Sequence, residues 1–468
     1  MLNNSDHEDA IGEAEVDITD LNSPGESGQA PDRHRRRSLL FSSRARGWMS
    51  LAMIAATTLL VVVVLVSLPH APEKATSVAE TTLPPYNPSP LSVADGIACV
   101  SSPSGTVTVL RVNDGSVLWR HKSEKTDVGS TLTTIADGVV YIASLVVEND
   151  TLQDTVDALR ADDGLLLWSL TFPADSSAPI QLTVVDKVVY ITSEVDSIDA
   201  FRASDGSRLW HYTSRTPFVS MASVLDGVIY AGTLDGTVYA LRASDGSVLW
   251  HYTSLFLPSS PPVAANGIVY MNLQNGNIIA LRASNGSVLW HYTSRSFLSE
   301  LPPYVADGMV YVIALDGSID ALRAGDGSLL WQASLHALSD APTMIATGGM
   351  VYVGTQDGSV EALRASDGSL LWLYKDGKGS AVSTTISTVA QGVVYIGLQA
   401  GDIDSIDALR ASDGFLLWRY IPQIPSTQLF PILADNILLL ALQDGSIDAL
   451  RASSGILLWH YPVNSWHL

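Results

Sequence analysis

The sequence predicts an all-β chain: a β-propeller of four-stranded blades, nine repeat units closing as eight or nine blades. One transmembrane helix and a disordered N-terminus precede it. Three observations predict this. The phrase LRASDGSVLWHYTS at 241–254 returns at 201–214 with two changes and at 281–294 with one. Trp119, Trp168, Trp210, Trp250, Trp290, Trp331, Trp372, Trp418 and Trp459 follow one another at gaps of 49, 42, 40, 40, 41, 41, 46 and 41 residues. Residues 47–68 run for 22 positions without a charged side chain.

Taken in chain order, the N-terminal elements are an address and a tether. Residues 1–32 carry nine acids and no Lys or Arg, and residues 33–46 carry six Arg and no acid. Together they form a 1–46 tail, acidic then Arg-rich, with too little apolar patterning to fold. At 1.5 Å per residue the run 47–68 reaches about 33 Å, enough to cross a hydrocarbon core of about 30 Å. A cleaved signal has a short basic start and an apolar stretch of roughly 7–15 residues. This run is longer, follows 46 residues of tail and meets no small-x-small site, so an uncleaved anchor is expected. The Arg cluster keeps the N-terminus cytoplasmic and places everything beyond residue 68 outside the cytoplasm, in a single-pass topology. Residues 69–90, rich in Pro, read as a linker to a propeller over 91–468.

Each repeat reads as strands between turns. In one unit GVIYAGT (227–233), TVYALRA (237–243) and SVLWHYT (247–253) are separated by LDG and SDG, and SPPVAAN (260–266) leaves room for a fourth strand. The residue before the third-turn Gly is Asp in most units but Asn285 in one and Ser454 in another. These types share turn-forming chemistry and not a charge, which makes the position structural and not a metal ligand. Blades of this kind hide their faces only by stacking, so the ring must close. Eight blades would result if the terminal pieces shared one.

Composition narrows the function. Of 468 residues 47% are hydrophobic and 16% charged, and the formal net charge is −22. That surplus argues against a nucleic-acid partner. The one cysteine, Cys99, permits no intrachain disulfide and no multi-cysteine metal cage.

The pattern A-L-R-A-S-D-G-x-x-L-W, preceded by G-x-V-Y-x-G-T-x-D-G, resembles the pyrroloquinoline-quinone-like propeller repeat across roughly residues 90–460. The nine tryptophans match that family's docking tryptophan, which packs between neighbouring blades. The resemblance implies either a quinone-dependent dehydrogenase or a non-catalytic binding propeller. The dehydrogenases carry adjacent cysteines and a Ca²⁺ held by carboxylate and amide side chains. This chain has neither a second Cys nor a distinctive Glu/Asn/Asp set outside its turns. The expected function is therefore a membrane-anchored, extracytoplasmic binding scaffold, not an enzyme, with no cofactor, no metal and no catalytic residue. Its partners would be the membrane, through 47–68, and an envelope protein or an extracellular ligand. A degenerate quinone-dependent or quinone-binding relative is the alternative.

Three further sets of residues invite a site. His211, His251, His291 and His460 each follow a repeat Trp; one per blade, they are expected at dispersed blade edges. Nine arginines, Arg111, Arg160, Arg202, Arg242, Arg282, Arg323, Arg364, Arg410 and Arg451, hold one repeat position. Acids hold another in six units: Asp157, Asp199, Asp320, Glu361, Asp407 and Asp448. Strand alternation puts the two positions on opposite faces, so ion pairs between stacked blades are expected. Finally, the second unit carries seven extra residues between Tyr141 and Ala158, and the eighth three extra between Tyr395 and Ala408. Both fall on the same hairpin type and should project from one face, where recognition is usual. KDGKGS (375–380) adds a locally basic loop.

Overall fold

The computed structural model describes residues 91–462 apart from 103–104, 123–125, 128–130, 149–150, 175–179, 193–195, 300, 337–342, 356, 377–382, 401–402, 425–430 and 443. The tail, the run 47–68 and the linker 69–90 lie outside the described residues, as does most of the loop 375–380. Among the described residues no helix is long and apolar enough to cross a membrane. Every described residue belongs to one unit.

Nine antiparallel sheets follow one another, each made of consecutive strands: 91–122, 126–173, 181–213, 218–253, 263–293, 304–334, 343–375, 383–420 and 432–461. These are blades 1 to 9. Eight have four strands in sequence order, and blade 2 has a fifth, Thr126–Asp127, paired with the far end of its long strand Val139–Glu148. The first and last blades are each complete, so no blade is shared between the chain ends and the count is nine.

Tight turns make the blades. The first turn of most blades has two successive residues at positive φ, as in Asp226 (50°) and Gly227 (72°), the geometry that suits the twist of a two-residue hairpin. In every blade the third and outermost strands slip register next to the tryptophan; in blade 4, Ala240 faces Trp250 and Leu241 faces Val248. This repeated bulge leaves Leu249 exposed and turns Trp250 inward.

The core lies between blades. Nine clusters of buried apolar side chains occur, one at each junction of successive blades, including one that joins Leu91, Ala98 and Leu110 of blade 1 to Leu439, Ile447 and Ala449 of blade 9. The first strands of blades 1 and 9 also touch. The ring is closed, and its innermost strands are the first of each blade. Because the strands alternate in direction, first and third turns share one face of the ring. Second turns, blade-to-blade connections and the entry of the chain at Leu91 share the other, the connection face.

Candidate functional site

The tryptophans join blade to blade. Each of the nine donates its indole N–H to a backbone carbonyl of the following blade at 2.7–3.0 Å: Trp119 to Ala161, Trp250 to Ala283, and so on to Trp459, which reaches Val112 of blade 1. Its ring covers the third-turn glycine of that blade. A Cβ on Gly115, Gly164, Gly206, Gly246, Gly286, Gly327, Gly368, Gly414 or Gly455 would lie under 3.0 Å from a tryptophan carbon. Those glycines are also at φ of 67–72°. Sterics and backbone thus demand glycine at the same atom. In seven blades a tyrosine of the second strand supports the indole, ring centroids 5.8–6.0 Å apart.

The third-turn acids are turn formers. Asp205, Asp245, Asp326 and Asp367 each accept the backbone N–H and the hydroxyl of the serine two residues on. Asn285 accepts the same N–H from Ser287 at 3.0 Å. The serine hydroxyl, then the serine N–H, then Arg323 hold the Asp326 carboxyl down near about 2.

The repeat arginines correct one expectation. Arg160, Arg202, Arg242, Arg323, Arg364 and Arg410 pair with the turn aspartate three residues on, at 2.8–3.3 Å, with both side chains about half exposed. They are not inter-blade bridges. Each arginine ends its strand at the rim, where its own turn carboxylate is the near one. The buried acids are satisfied otherwise. Asp320 accepts from Tyr292 and Ser294 of the preceding blade and from Gln332 beside it. Asp407 is held by a two-pronged bond from Arg419 and by Tyr374 of the preceding blade, all at 2.6 Å. Asp448 takes Tyr420 at 2.7 Å and His460 at 2.6 Å. At these three junctions the tyrosine two residues after the tryptophan is the inter-blade donor. Its signal in the sequence is a W-x-Y one unit before an acid.

The four histidines stay in their own blades. His211 bonds Asp199 at 2.9 Å, His460 bonds Asp448, His251 lies against Tyr239, and His291 faces Ile279 across the sheet. Among the described residues no group of three or more His, Cys, Asp or Glu could hold a metal ion. Cys99 is fully buried between blades 1 and 2, where desolvation pushes its thiol up to about 12. The quinone and Ca²⁺ that the dehydrogenase resemblance implies need paired cysteines over the quinone and a converging carboxylate–amide set. The residues present do not fit them.

The two insertions are built as stiff ribs. In blade 2 Val139–Glu148 and Thr151–Arg160 pair without a break from Val139↔Arg160 to Glu148↔Thr151. In blade 8 Val393–Ala400 and Ile403–Arg410 pair to Ala400↔Ile403. Both stand on the connection face, above neighbouring second strands of five or six residues.

The chain matches a family model described as "Outer membrane protein assembly factor BamB" over residues 103–258, 255–380 and 339–428. No curated protein matches it. Among solved structures, BamB from Moraxella catarrhalis is 18% identical, covering 69% of this chain and 99% of its own at a TM-score of 0.46. A computationally designed protein is 19% identical over 66% of this chain and 95% of its own, TM-score 0.48. The quinohemoprotein alcohol dehydrogenase ADHIIG from Pseudomonas putida HK5 is 16% identical over 66% and 69%, TM-score 0.44. With nine tryptophan-docked blades on the page and the family model spanning most of them, the chain belongs to the BamB family of pyrroloquinoline-quinone-like propellers.

Proposed function

We propose that this chain is a single-pass membrane protein whose propeller, outside the cytoplasm, binds an envelope partner protein through its connection face and catalyses nothing. The observation that carries the reading is the division of labour in the ring. Trp, Gly, Tyr and the buried Asp at repeated positions hold blades together, Arg and the turn Asp close their own turns, and the added length falls in the hairpins of blades 2 and 8. A rigid scaffold with varied projections is the usual arrangement for recognition. The family's description as an assembly factor supports a protein-binding role. The uncharged run 47–68, with six Arg before it, supports the anchor and its orientation.

The test is in vivo photo-crosslinking from Thr151 on the blade 2 hairpin and from Asp326 on the opposite face. A discrete adduct from Thr151 and none from Asp326 is expected, and replacing 146–153 by Asn-Gly should abolish co-purification of the crosslinked partner. Adducts from neither position, or dye reduction by the chain reconstituted with quinone and Ca²⁺, would overturn the reading.

A further inference from the structure

Among the described residues, the connection face carries a stretch over blades 4 to 6 where apolar side chains break the repeat. The connections leaving blades 3, 4 and 5 align as Arg215-Thr216-Pro217, Leu255-Phe256-Leu257 and Arg295-Ser296-Phe297. Leu255 is 98% exposed, Phe297 61%, Phe256 46% and Leu257 42%, and Leu315 on the second turn of blade 6 is 60% exposed. Backbone contacts string them into one ridge. Leu234 of blade 4 donates to Pro217 O, and the Phe256 carbonyl lies against Gly236. Gln274 of blade 5 donates to Leu257 O, and Leu315 of blade 6 donates to Phe297 O. The ridge is braced, so its side chains are held outward and do not fold back. Its two turn carboxylates, Asp235 and Asp316, are tied into their own turns. Arg215 and Arg295 are exposed on either side, at the position Leu255 holds between them.

An apolar tip flanked by guanidinium groups is the chemistry of a membrane–water interface, with the hydrocarbon entering the acyl boundary and the cations meeting phosphates. The chain itself says where the lipid is. Leu91, the first described residue, enters on this same face. The 22 residues of 69–90 span at most about 75 Å when extended. We propose that the ridge of blades 4 to 6 rests in the outer surface of the membrane that anchors the chain, Leu255, Phe256, Leu257 and Phe297 entering the lipid and Arg215 and Arg295 binding headgroup phosphates. This rests on the anchor reading above. The long hairpins stand on blades 2 and 8, on the other half of the ring, so contact at the ridge tilts the propeller and keeps those hairpins clear for a partner.

The experiment uses the full chain with Cys99→Ala, carrying Phe256→Cys, Phe297→Cys or Asp326→Cys labelled with an environment-sensitive fluorophore. Each is reconstituted in vesicles of phosphatidylcholine and phosphatidylglycerol with or without acyl-chain nitroxide lipids. Labels at 256 and 297 should be blue-shifted and quenched at least about twofold more than the label at 326. Arg215→Ser with Arg295→Ser should reduce that quenching. Equal quenching at all three positions would overturn the proposal, and so would a blue shift without nitroxide quenching, which marks a second copy of the chain on the ridge. Alkaline carbonate extraction reads the anchor separately. A chain that leaves the vesicles in carbonate contradicts the anchor, whereas a chain that stays and shows no quenching contradicts the ridge alone.

Discussion

At the residue scale, two positions that look alike in the repeat have opposite costs. Arg323 is half exposed and bonded to its own turn, an arrangement that contributes little. Asp407 is fully buried under Arg419 and Tyr374. Arg323→Met should therefore leave the melting temperature within about 1 °C of wild type in detergent. Asp407→Ala strands a cation and a phenol and should cost about 3–5 kcal/mol by chemical denaturation. The third-turn glycines are separable from the first-turn ones in the same way. Gly246→Ala meets both the left-handed backbone and the Trp210 ring, with Cβ 2.6 Å from it. Gly227→Ala meets the backbone alone, since nothing lies within 4 Å. About 1 kcal/mol is expected for Gly227→Ala and at least twice that for Gly246→Ala, both read by urea unfolding. The sequence made the turn role of these sites legible through Asn285 and Ser454. It did not reveal the arginine partner, because strand alternation orders faces but says nothing of where a strand ends.

At the element scale, repeat spacing and turn dipeptides made the strands legible, since a period-two pattern between Asp-Gly turns has one reading. The short edge strand Thr126–Asp127 carries no such pattern and exists only because Val146 and Val147 of the long hairpin offer it an edge. The hairpin insertions were visible as length, and the continuous register that stiffens them follows from β-branched residues such as Val146, Val147 and Thr151 filling it. The first turn of blade 3 departs from most of its fellows. Lys187 occupies φ 63° where most blades have glycine. A side chain there costs about 1 kcal/mol, so Lys187→Gly should raise the denaturation midpoint by a comparable amount with an unchanged slope.

At the scale of the whole molecule, the turn carboxylates give the ring an acid limit. Asp205, Asp245, Asp326, Asp367 and Asp413 all titrate below the ordinary 3.8, through bonds from the residue two on and from the arginine three before. A carboxyl depressed in the folded state stabilises above its unfolded pKa and loses that contribution as pH falls through the folded value, which for Asp326 is about 2. Melting temperature should drop as pH falls below the ordinary 3.8 toward that value. Asp245→Asn with Asp326→Asn should lie below wild type at pH 7 and converge with it near about pH 2, since the amide keeps the backbone bond and has no charge to lose. Parallel curves at every pH would remove the carboxylates from the account.

Closure of nine complete blades was the one architectural point the sequence left open, because eight and nine share the same repeat count until the terminal strands are placed. It rests on Trp459 docking over Gly115 and onto Val112 O, the same contacts that Trp250 makes with Gly286 and Ala283. Thermal denaturation of Trp459→Ala beside Trp250→Ala therefore tests the account most directly. In a closed ring the two should fall together, each by at least about 5 °C, since a tryptophan truncated at a blade junction costs about 3–5 kcal/mol. A Trp459→Ala chain that melts like wild type while Trp250→Ala does not would mean that the last blade docks on nothing and the ring is open.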